Sequence, residues 1–452
     1  MKVCKFGGSS LADAEQVRKV CDIVLADPER RLVVVSAPGR RHPGDTKVTD
    51  LLIACAEARL AGVSGREELG AVLDRFRAIA EGLSLDGEVL AEIQADFEAR
   101  LGAPTTDRSL YMDTMKAGGE DNAARLLAAA LRARGVPARY ISPKEAGLLL
   151  TAEPGNARVR AESYTNLARL AETEGIGVFP GFFGYSVEGT LVTFPRGGSD
   201  ITGAVLAAAV RADLYENFTD VDCVFVANPR VVPGAKPLRE LTYREMRELS
   251  YAGFHVFHEE ALEPVFRAGV PVCVKNTNNP DAPGTRIVHR RTGPAEPVAG
   301  IAAAAGFCQV YVSKYLMNRE IGFGRRLFQI LEDEGLSYEH SPSGIDDISV
   351  VLREDRFDAE TEARVLRRIR EELAVDDVSV ERGLALVMIV GECMRHAVGT
   401  AARACSAFAR ADVNIEMINQ GASEISMMFG VRAEDADRAV KALYDEFFGA
   451  SP

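Results

Sequence analysis

The order of apolar segments along the chain most constrains its fold. Through roughly the first three hundred residues, short runs rich in β-branched residues alternate with longer amphipathic segments, which predicts alternating strands and helices. A chain with this order forms a largely parallel sheet covered by helices on both faces. The predicted strands are 1–4, 32–36, 177–179, 190–194, 222–226 and 270–274, and the clearest helices are 13–25, 121–134 and 200–209.

Composition narrows the class of protein. A length of 452 residues predicts two or three domains, and 47% hydrophobic with 26% charged residues is typical of a soluble globular protein. The net charge of -13 argues against nucleic acid or an anionic membrane as a partner. The first residues lead directly into a strand, so we expect no signal peptide or membrane span and a cytoplasmic location. Eight scattered cysteines without paired spacing favour buried reduced thiols over disulfides or zinc.

The chain changes character after a proline-bearing joint at 293–297. Beyond it, Met317 recurs as Met394 and Gly322 as Gly399, both at an offset of 77 residues, and further pairs share that offset. Such self-similarity predicts two related α+β units. The predicted domains are 1–295, with a helical insertion at about 64–103 that carries no clustered chemistry, then 300–383 and 384–452.

Two glycine-rich turns follow predicted strands. KFGGSS, residues 5–10, places Lys5 at a strand end, before a helix predicted to begin near Ser10 and Leu11. RGGSD, residues 196–200, repeats this design. Backbone N–H groups at such turns suit phosphate oxygens, so the two turns could hold a polyphosphate across a cleft. For the first stretch alone, a plain strand-to-helix turn with Lys5 in water is an equal alternative.

Two acidic stretches add candidate ligands. GGED, residues 118–121, is predicted at a helix start, where acidic residues are common for dipole reasons alone. Together with Arg196, however, Glu120 could recognise the ammonium and carboxylate groups of a free amino acid. TDVD, residues 219–222, and the nearby Arg230 could bind a ribose, magnesium or a phosphate, and a solvated turn is the competing interpretation.

Together these stretches resemble the amino-acid kinase family and, within it, the aspartate kinases. The resemblance runs nearly end to end. It rests on KFGGSS (5–10), VVVSA (33–37), GGED (118–121), RGGSD (196–200), FTDVD (218–222), NPRVVP (228–233), LTYREMRELSYAG (241–253) and VKNTNNPDAPGT (274–285). VGECMR (390–395) and NIEMINQGASEISMMF (414–429) are similar to the paired ACT regulatory modules of such kinases.

The resemblance implies an α/β amino-acid kinase fold, a mostly parallel sheet between helical layers, followed by two α+β ACT domains. No homoserine dehydrogenase segment follows, so the resemblance is to a monofunctional enzyme. It implies transfer of the ATP γ-phosphoryl group to the β-carboxylate of L-aspartate, the first step of lysine, threonine and methionine biosynthesis. A carboxylate acceptor with a pKa of ~4 is already ionised, so the protein needs to position groups and neutralise charge.

The resemblance also implies roles for individual residues. Lys5 and Asp200 would be the catalytic pair, with Lys5 neutralising the transferring phosphoryl group and Asp200 organising the reacting end. Glu120 would bind the ammonium of aspartate and Arg196 its α-carboxylate. The implied substrate-binding residues are Ser36, Thr49, Glu120, Arg196 and Ser199.

ATP with Mg²⁺ is implied as the co-substrate, and magnesium would bind the phosphates rather than a metal site of the protein. His255 stands where many relatives have lysine, and an imidazole cannot supply a constant charge at neutral pH. We hypothesise that Lys275 substitutes for that charge. The implied ATP contacts are Lys5, Gly7, Gly8, Ser9, Ser10, Thr219, Asp220, Phe225, Arg230, His255 and Lys275.

The ACT pair implies feedback inhibition by an end-product amino acid, with lysine the first choice and threonine the second. Asp346 and Asp347 could pair with a lysine ammonium, although acidic loops are usually only solvated. A homodimer or homotetramer is expected by resemblance. The candidate effector contacts are Met317, Gly322, Phe323, Gly324, Ser343, Asp346 and Asp347 in the first unit and Asn414, Ile415, Gln420 and Ser423 in the second.

Two alternatives make different predictions. A kinase of the same fold acting on glutamate or a nucleotide would keep KFGGSS but lack the ACT pair and the LTYREMREL stretch. An amino-acid sensor with a decayed kinase domain would keep the ACT pair and lose Lys5, Arg196 or Asp200. All three residues are present.

Overall fold

A computed structural model describes residues 1–254, 259–292 and 296–449. The chain divides into two compact units, each made of several chain segments. The first contains Met1–Val224, Pro237–Tyr243 and His255–Arg291. The second contains Phe225–Lys236, Arg244–Phe254 and Thr292–Pro452.

The first unit is built on an eight-stranded sheet with the strand order β3-β4-β2-β1-β7-β9-β10-β8. All neighbouring strands pair in parallel except β9 and β10. A separate antiparallel pair is formed by β5 and β6. The strands are β1 (Lys2–Phe6), β2 (Arg30–Val35), β3 (Ala138–Tyr140), β4 (Ile176–Pro180), β5 (Phe183–Tyr185), β6 (Leu191–Thr193), β7 (Leu214–Thr219), β8 (Glu240–Thr242), β9 (Val272–Asn276) and β10 (Thr285–Val288).

Helices surround this sheet and enclose a core in which Val33, Val34 and Val35 are fully buried. Fully buried aliphatic runs are typical of parallel strands that are covered on both faces. The helices of this unit are α1 (Ala14–Leu25), α2 (Val48–Leu60), α3 (Arg66–Gly82), α4 (Gly87–Leu101), α5 (Arg108–Ala133), α6 (Pro143–Ala146), α7 (Ala161–Ala168), α8 (Gly198–Ala209) and α10 (Leu262–Ala268). Helix α9 (Tyr243–Tyr251) lies mostly in the second unit.

The mostly parallel sheet predicted from the sequence is confirmed, but two predicted strands are wrong in detail. Residues 222–226 form an irregular segment in which the Val224 N–H donates to the Thr285 hydroxyl, and the strand lies earlier, at β7. The sequence hid β7 because Glu216 and Asn217 interrupt its apolar pattern; the Glu216 carboxylate is buried against Arg30, 2.7 Å away. The predicted strand 190–194 is β6, which lies outside the large sheet.

The second unit contains one antiparallel five-stranded sheet with the order β12-β11-β13-β15-β14. Four helices belong to it in addition to most of α9. The strands are β11 (Gly300–Ser313), β12 (Asp347–Arg353), β13 (Asp377–Val390), β14 (Met417–Asn419) and β15 (Ser426–Arg432), and the helices are α11 (Phe323–Asp333), α12 (Ala359–Leu373), α13 (Thr400–Arg410) and α14 (Ala436–Phe448).

The internal repeat appears as repeated structure. Helices α11 and α13 begin 77 residues apart, and so do α12 and α14. Gly322 and Gly399 precede α11 and α13 with φ angles of 79° and 89°, a left-handed conformation that favours glycine. Residues 300–305 pair with 385–390, so the first half of β11 lies beside the second repeat, and the boundary at 383 and 384 stays a prediction.

Two further features bear on the sequence predictions. Six of the eight cysteines are buried free thiols, whereas Cys393 is exposed and Cys405 half-buried, which corrects the expectation that all are buried. Within the described ranges, no helix has the length and apolar character needed to span a membrane.

Candidate active site

The centre of the site is an ion pair between the two predicted catalytic residues. Lys5 lies near the end of β1, and its Nζ is 2.7 Å from Oδ1 of Asp200, in the first turn of α8. Gly197, with φ 79°, turns the chain into that helix. Strand β7 runs beside β1 with Asn217 opposite Lys5, and the Asn217 amide donates to the same Asp200 oxygen at 2.9 Å. Sequence reasoning missed Asn217.

The glycine turn after β1 is packed against the chain that follows β2. A Cβ on Gly8 would lie 2.8 Å from the carbonyl oxygen of Ala37, closer than side chains tolerate. Gly39 N–H donates to the Gly8 carbonyl at 2.8 Å, and Gly7 N–H donates to the Phe218 carbonyl at 3.2 Å. Glycine is therefore required at position 8 because another segment of backbone passes directly over it.

The predicted helix start at Ser10 and Leu11 is wrong. Gly8–Leu11 forms a short 3₁₀ turn, and α1 begins at Ala14 with Asp13 as its N-cap. Ser9 is exposed at the turn, whereas the hydroxyl of buried Ser10 is 2.7 Å from that of Thr277. Ser9 therefore remains accessible to a phosphate, while Ser10 ties the turn to the chain after β9.

Glu120 lies in the interior of α5, not at a helix start as the sequence predicted. The side chain is buried, and burial raises the pKa of Glu120 to about 8 even though the Ala37 N–H bond and the Lys116 charge act in the opposite direction. Within the described part of the chain, Glu120 Oε2 has no hydrogen-bond partner. A ligand cation at this oxygen would favour the ionised carboxylate.

The neighbouring Asp121 has a different role from Glu120. Its carboxylate pairs with Arg100 of α4 at 2.6 Å and accepts a hydrogen bond from the Tyr140 hydroxyl. Asp121 is therefore occupied within the protein, which leaves Glu120 as the ligand candidate of the GGED stretch.

The helical insertion at about 64–103 supports the site through α3. Sequence reasoning did not predict this supporting role. Buried Arg75 of α3 donates to the carbonyls of Gly39 at 2.9 Å and Thr46 at 3.1 Å, and pairs with Asp45 at 2.7 Å. Hydrogen bonds from Arg41, with a further contribution from the charge of Arg75, hold the pKa of the Asp45 carboxyl well below its usual value. The loop that follows Gly39 and contacts Gly8 is thus held in place by the insertion.

The remaining substrate candidates lie around these elements. Ser36 directly follows β2, is half-buried, and its N–H donates to the Phe6 carbonyl at 3.1 Å. Thr49 is half-buried in the first turn of α2, after the anchored loop. Arg196 is exposed just before α8, and Ser199 is buried in its first turn. Arg196 and Ser199 thus lie on the same chain turn as Asp200.

The predicted nucleotide contacts are divided between the two units. In the first unit, Thr219 ends β7 and its hydroxyl donates to exposed Asp220 at 3.2 Å. Lys275 is half-buried on the neighbouring β9. In the second unit, Phe225 is half-buried and Arg230 exposed.

The chain around Phe225 and Arg230 is bonded within the second unit. Val226 N–H donates to the Lys236 carbonyl at 3.0 Å, and the Val226 carbonyl accepts the N–H of Ile301 in β11 at 2.7 Å. The predicted contact His255 lies outside the described residues.

The first group of effector candidates is brought together by two loops of the second unit. One Asp346 oxygen accepts the Leu316 N–H at 2.9 Å, which joins the loop after β11 to the loop before β12. Met317 and Phe323 are buried and Gly322 begins α11, whereas no atom lies within 4 Å of a Cβ built at Gly324. Ser343 is exposed and Asp347 half-buried.

The second group lies around β14. Asn414 is exposed and its amide donates to Glu416 at 3.1 Å, and Ile415 is half-buried. Gln420 and Ser423 are exposed in the connection between β14 and β15. These four residues flank one short strand, and their spacing in sequence already placed them near each other.

Helix α9, from the LTYREMREL stretch, contacts both repeats. The Tyr251 hydroxyl donates to Glu339, before β12 in the first repeat. In the second repeat, Glu248 accepts from the Ser426 hydroxyl at 2.8 Å and Glu245 from the Glu392 N–H at 3.0 Å. The LTYREMREL motif was recognisable in the sequence, but the sequence did not indicate that its partners are Glu339, Ser426 and Glu392.

Comparison with protein families defines the class of protein. A model of the amino acid kinase family matches residues 1–276, and a model of an ACT domain matches residues 387–447. The chain is therefore an amino acid kinase with an ACT domain in its C-terminal region.

Similar proteins narrow this class. Aspartokinase 3 of Bacillus subtilis (strain 168) is 58% identical over 448 residues, covering 99% of each chain. The crystal structure of Clostridium acetobutylicum aspartate kinase, described as an allosteric enzyme, has a TM-score of 0.87 at 35% identity and covers 99% of this chain and 100% of that one. Escherichia coli aspartokinase III in complex with aspartate and ADP (R-state) has a TM-score of 0.78 at 29% identity and covers 99% and 100%. The chain belongs to the aspartokinase family.

Proposed function

We propose that this chain transfers the γ-phosphoryl group of ATP to the β-carboxylate of L-aspartate, forming 4-phospho-L-aspartate and ADP. The observation that carries the proposal is the 2.7 Å contact of Lys5 with Asp200, formed where two glycine turns meet the same end of the sheet. The E. coli enzyme binds aspartate and ADP in its crystal structure, which supports both substrates.

The reaction needs charge neutralisation more than proton transfer. Aspartate brings an ionised carboxylate, so its oxygen attacks the γ-phosphorus without a general base. The ammonium of Lys5 neutralises charge on the transferring phosphoryl group, and Asp200 holds that ammonium in place. Gly8 and Ser9 offer N–H and hydroxyl donors to the phosphates, whereas the Gly7 N–H is already bonded to the Phe218 carbonyl. Ser10 contributes indirectly, because its hydroxyl is bonded to Thr277.

Glu120 and Arg196 distinguish aspartate from other carboxylic acids. The ionised carboxylate of Glu120 accepts a hydrogen bond from the substrate ammonium at its unpartnered oxygen, and the exposed guanidinium of Arg196 pairs with the α-carboxylate. Ser36, Thr49 and Ser199 complete the substrate contacts. This arrangement selects an α-amino acid and places its side-chain carboxylate toward Lys5.

The nucleotide enters with Mg²⁺ bound to its phosphates. Thr219 and Asp220 contact it from the end of β7, and Lys275 supplies the positive charge that His255 cannot hold at neutral pH. Phe225 and Arg230 are the remaining candidate contacts. We place this activity in the cytoplasm, at the entry to lysine, threonine and methionine synthesis.

The ACT repeats make the enzyme sensitive to an end-product amino acid, with lysine as the first candidate and threonine as the second. E. coli aspartokinase III also has a crystal structure with lysine and aspartate (T-state), with a TM-score of 0.77 at 29% identity. Lysine would bind at Met317–Gly324 and Ser343–Asp347, where its ammonium would compete with the Leu316 N–H for Asp346. Asn414, Ile415, Gln420 and Ser423 provide the second set of contacts.

The second unit offers a physical connection for this regulation. The carbonyl of Val226, next to the nucleotide candidate Phe225, is bonded to β11, whose far end leads into the first effector loop. A shift of β11 would therefore move Val226 and the adjacent Phe225. A coupling of ~1–3 kcal/mol would give clear inhibition. ACT modules commonly pair between subunits, so we expect a homodimer or homotetramer.

The test is ADP release with Mg-ATP and a panel of free amino acids, with lysine, threonine or both added. Release that depends on L-aspartate and falls with lysine or threonine supports the reaction and its regulation. Folded protein without aspartate-dependent release contradicts the proposed reaction and favours an amino-acid sensor. Release that depends on glutamate would assign a different acceptor.

A further inference from the structure

Asn217 occupies an unusual position for a polar residue. It lies in the middle of β7, an interior strand of the sheet, and only 1% of its surface is exposed. Interior strands of parallel sheets are normally apolar because both faces are covered. Its neighbour Glu216 is explained by the buried pair with Arg30. Asn217 has no such partner for its carbonyl group in the described part of the chain.

The amide of Asn217 and the ammonium of Lys5 meet at one atom. Oδ1 of Asp200 is 2.7 Å from Lys5 Nζ and 2.9 Å from Asn217 Nδ2. Lys5 and Asn217 are register partners on adjacent parallel strands, so their side chains leave the same face of the sheet. The Asp200 carboxylate is therefore held by two donors on two rigid strands.

This arrangement lowers stability. Among the residues that the structure describes, Asn217 Oδ1 is buried without a hydrogen-bond partner, and such a group loses its hydration without compensation. An aliphatic residue of similar size would fill the space without that loss. A reason for asparagine must therefore lie in what its N–H group does for Asp200.

We propose that Asn217 is a positioning residue for phosphoryl transfer. The inference rests on the proposed function, since it takes Lys5 as the group that meets the transferring phosphoryl. Asn217 fixes the orientation of the Asp200 carboxylate, and the carboxylate in turn fixes the flexible Lys5 side chain. Small errors in the placement of a catalytic charge reduce the rate strongly, because the favourable contact is needed only in the transition state.

Two substitutions test the proposal in the full-length protein, with ADP release measured under saturating Mg-ATP and aspartate. Asn217→Leu keeps the branching of the side chain at Cγ and removes the donor, and we expect kcat to fall about tenfold to a hundredfold, as for a lost hydrogen bond to a charged group. We expect the KM values for Mg-ATP and for aspartate each to change less than about threefold. The melting temperature should stay the same or rise. Asn217→Asp keeps the shape but turns a donor into a second carboxylate beside Asp200, so its kcat should be lower than that of Asn217→Leu.

Gln309→Met is the matched control. Gln309 lies in β11, its amide donates to Glu381 at 2.9 Å, and its oxygen is also buried without a partner. Its kcat without effector should match that of the unmodified protein. If Asn217→Leu keeps kcat within twofold, or if Asn217→Asp is the more active variant, the positioning role is wrong. An unmodified protein without aspartate-dependent ADP release would instead contradict the proposed function.

Discussion

Glu120 leads to a quantitative prediction about aspartate binding. Burial raises the pKa of the free enzyme's Glu120 to about 8, so this carboxyl carries a proton at neutral pH. Binding the substrate ammonium requires the ionised form, because only a carboxylate compensates a buried cation. Aspartate binding should therefore release a proton from Glu120. At about pH 7 the release should be about 0.9 proton per site, and at about pH 9 about 0.1.

The same equilibrium sets the dependence of affinity on pH. Only the ionised fraction of Glu120 binds aspartate, so the apparent Kd should fall about 50-fold between about pH 6 and pH 8. The stability of the free enzyme depends on pH in the opposite direction to its affinity for aspartate. An unfolded Glu120 ionises near its ordinary pKa of 4.5, so the folded state binds more protons between about pH 4.5 and 8, and its stability falls as pH rises through that window.

Isothermal titration calorimetry measures the proton release directly, by comparing buffers with different ionisation enthalpies. Glu120→Gln supplies the matched comparison, because it keeps the shape of the side chain and cannot titrate. The variant should release no proton, and its aspartate affinity should fall by about a hundredfold or more. Proton release that is absent in the unmodified enzyme, or equal in the variant, would refute the assignment of Glu120 as the ammonium ligand.

Three other predictions follow from contacts around the site. Gly8→Ala should reduce kcat by at least about tenfold, because its Cβ would lie 2.8 Å from the Ala37 carbonyl oxygen; unchanged kinetics would contradict that packing. Arg75→Met should destabilise the protein by about 1–3 kcal/mol, since it removes the donors to the Gly39 and Thr46 carbonyls and leaves Asp45 paired with Arg41, and a thermal melt unaffected by the change would count against the anchor. Tyr251→Phe should raise the lysine concentration needed for half-inhibition about fivefold while activity without lysine is unchanged; equal inhibition curves would remove α9 from the regulatory connection.

Several site residues were predictable because their chemistry is written in short, contiguous stretches. Lys5 precedes two glycines and Asp200 follows two others, and both patterns predict phosphate-binding turns. The structure brings Lys5 and Asp200 into direct contact. The repeat at 77 residues likewise predicted matching helices, because repeated side-chain patterns impose repeated local conformations.

Other residues gave no local signal. Asn217 interrupts an apolar strand, and its meaning depends on Lys5, which is 212 positions away in the chain. Arg75 looks like one more charged residue of a polar helix until folding buries it against the loop after Gly39. Glu120 seemed to begin a helix because glycines precede it, yet those glycines lie inside α5, where they allow close packing with neighbouring side chains.

The sequence by itself determined the class of fold, the internal repeat and the residue types available for phosphoryl transfer, because periodicity and turn chemistry act over a few neighbouring residues. Only the tertiary structure decided that Lys5 and Asn217 bond to the same oxygen of Asp200. It also decided that the carboxyl of Glu120 loses its hydration and that Arg75 becomes buried. These properties depend on distance and burial, and both arise when strands and helices far apart in the chain pack together.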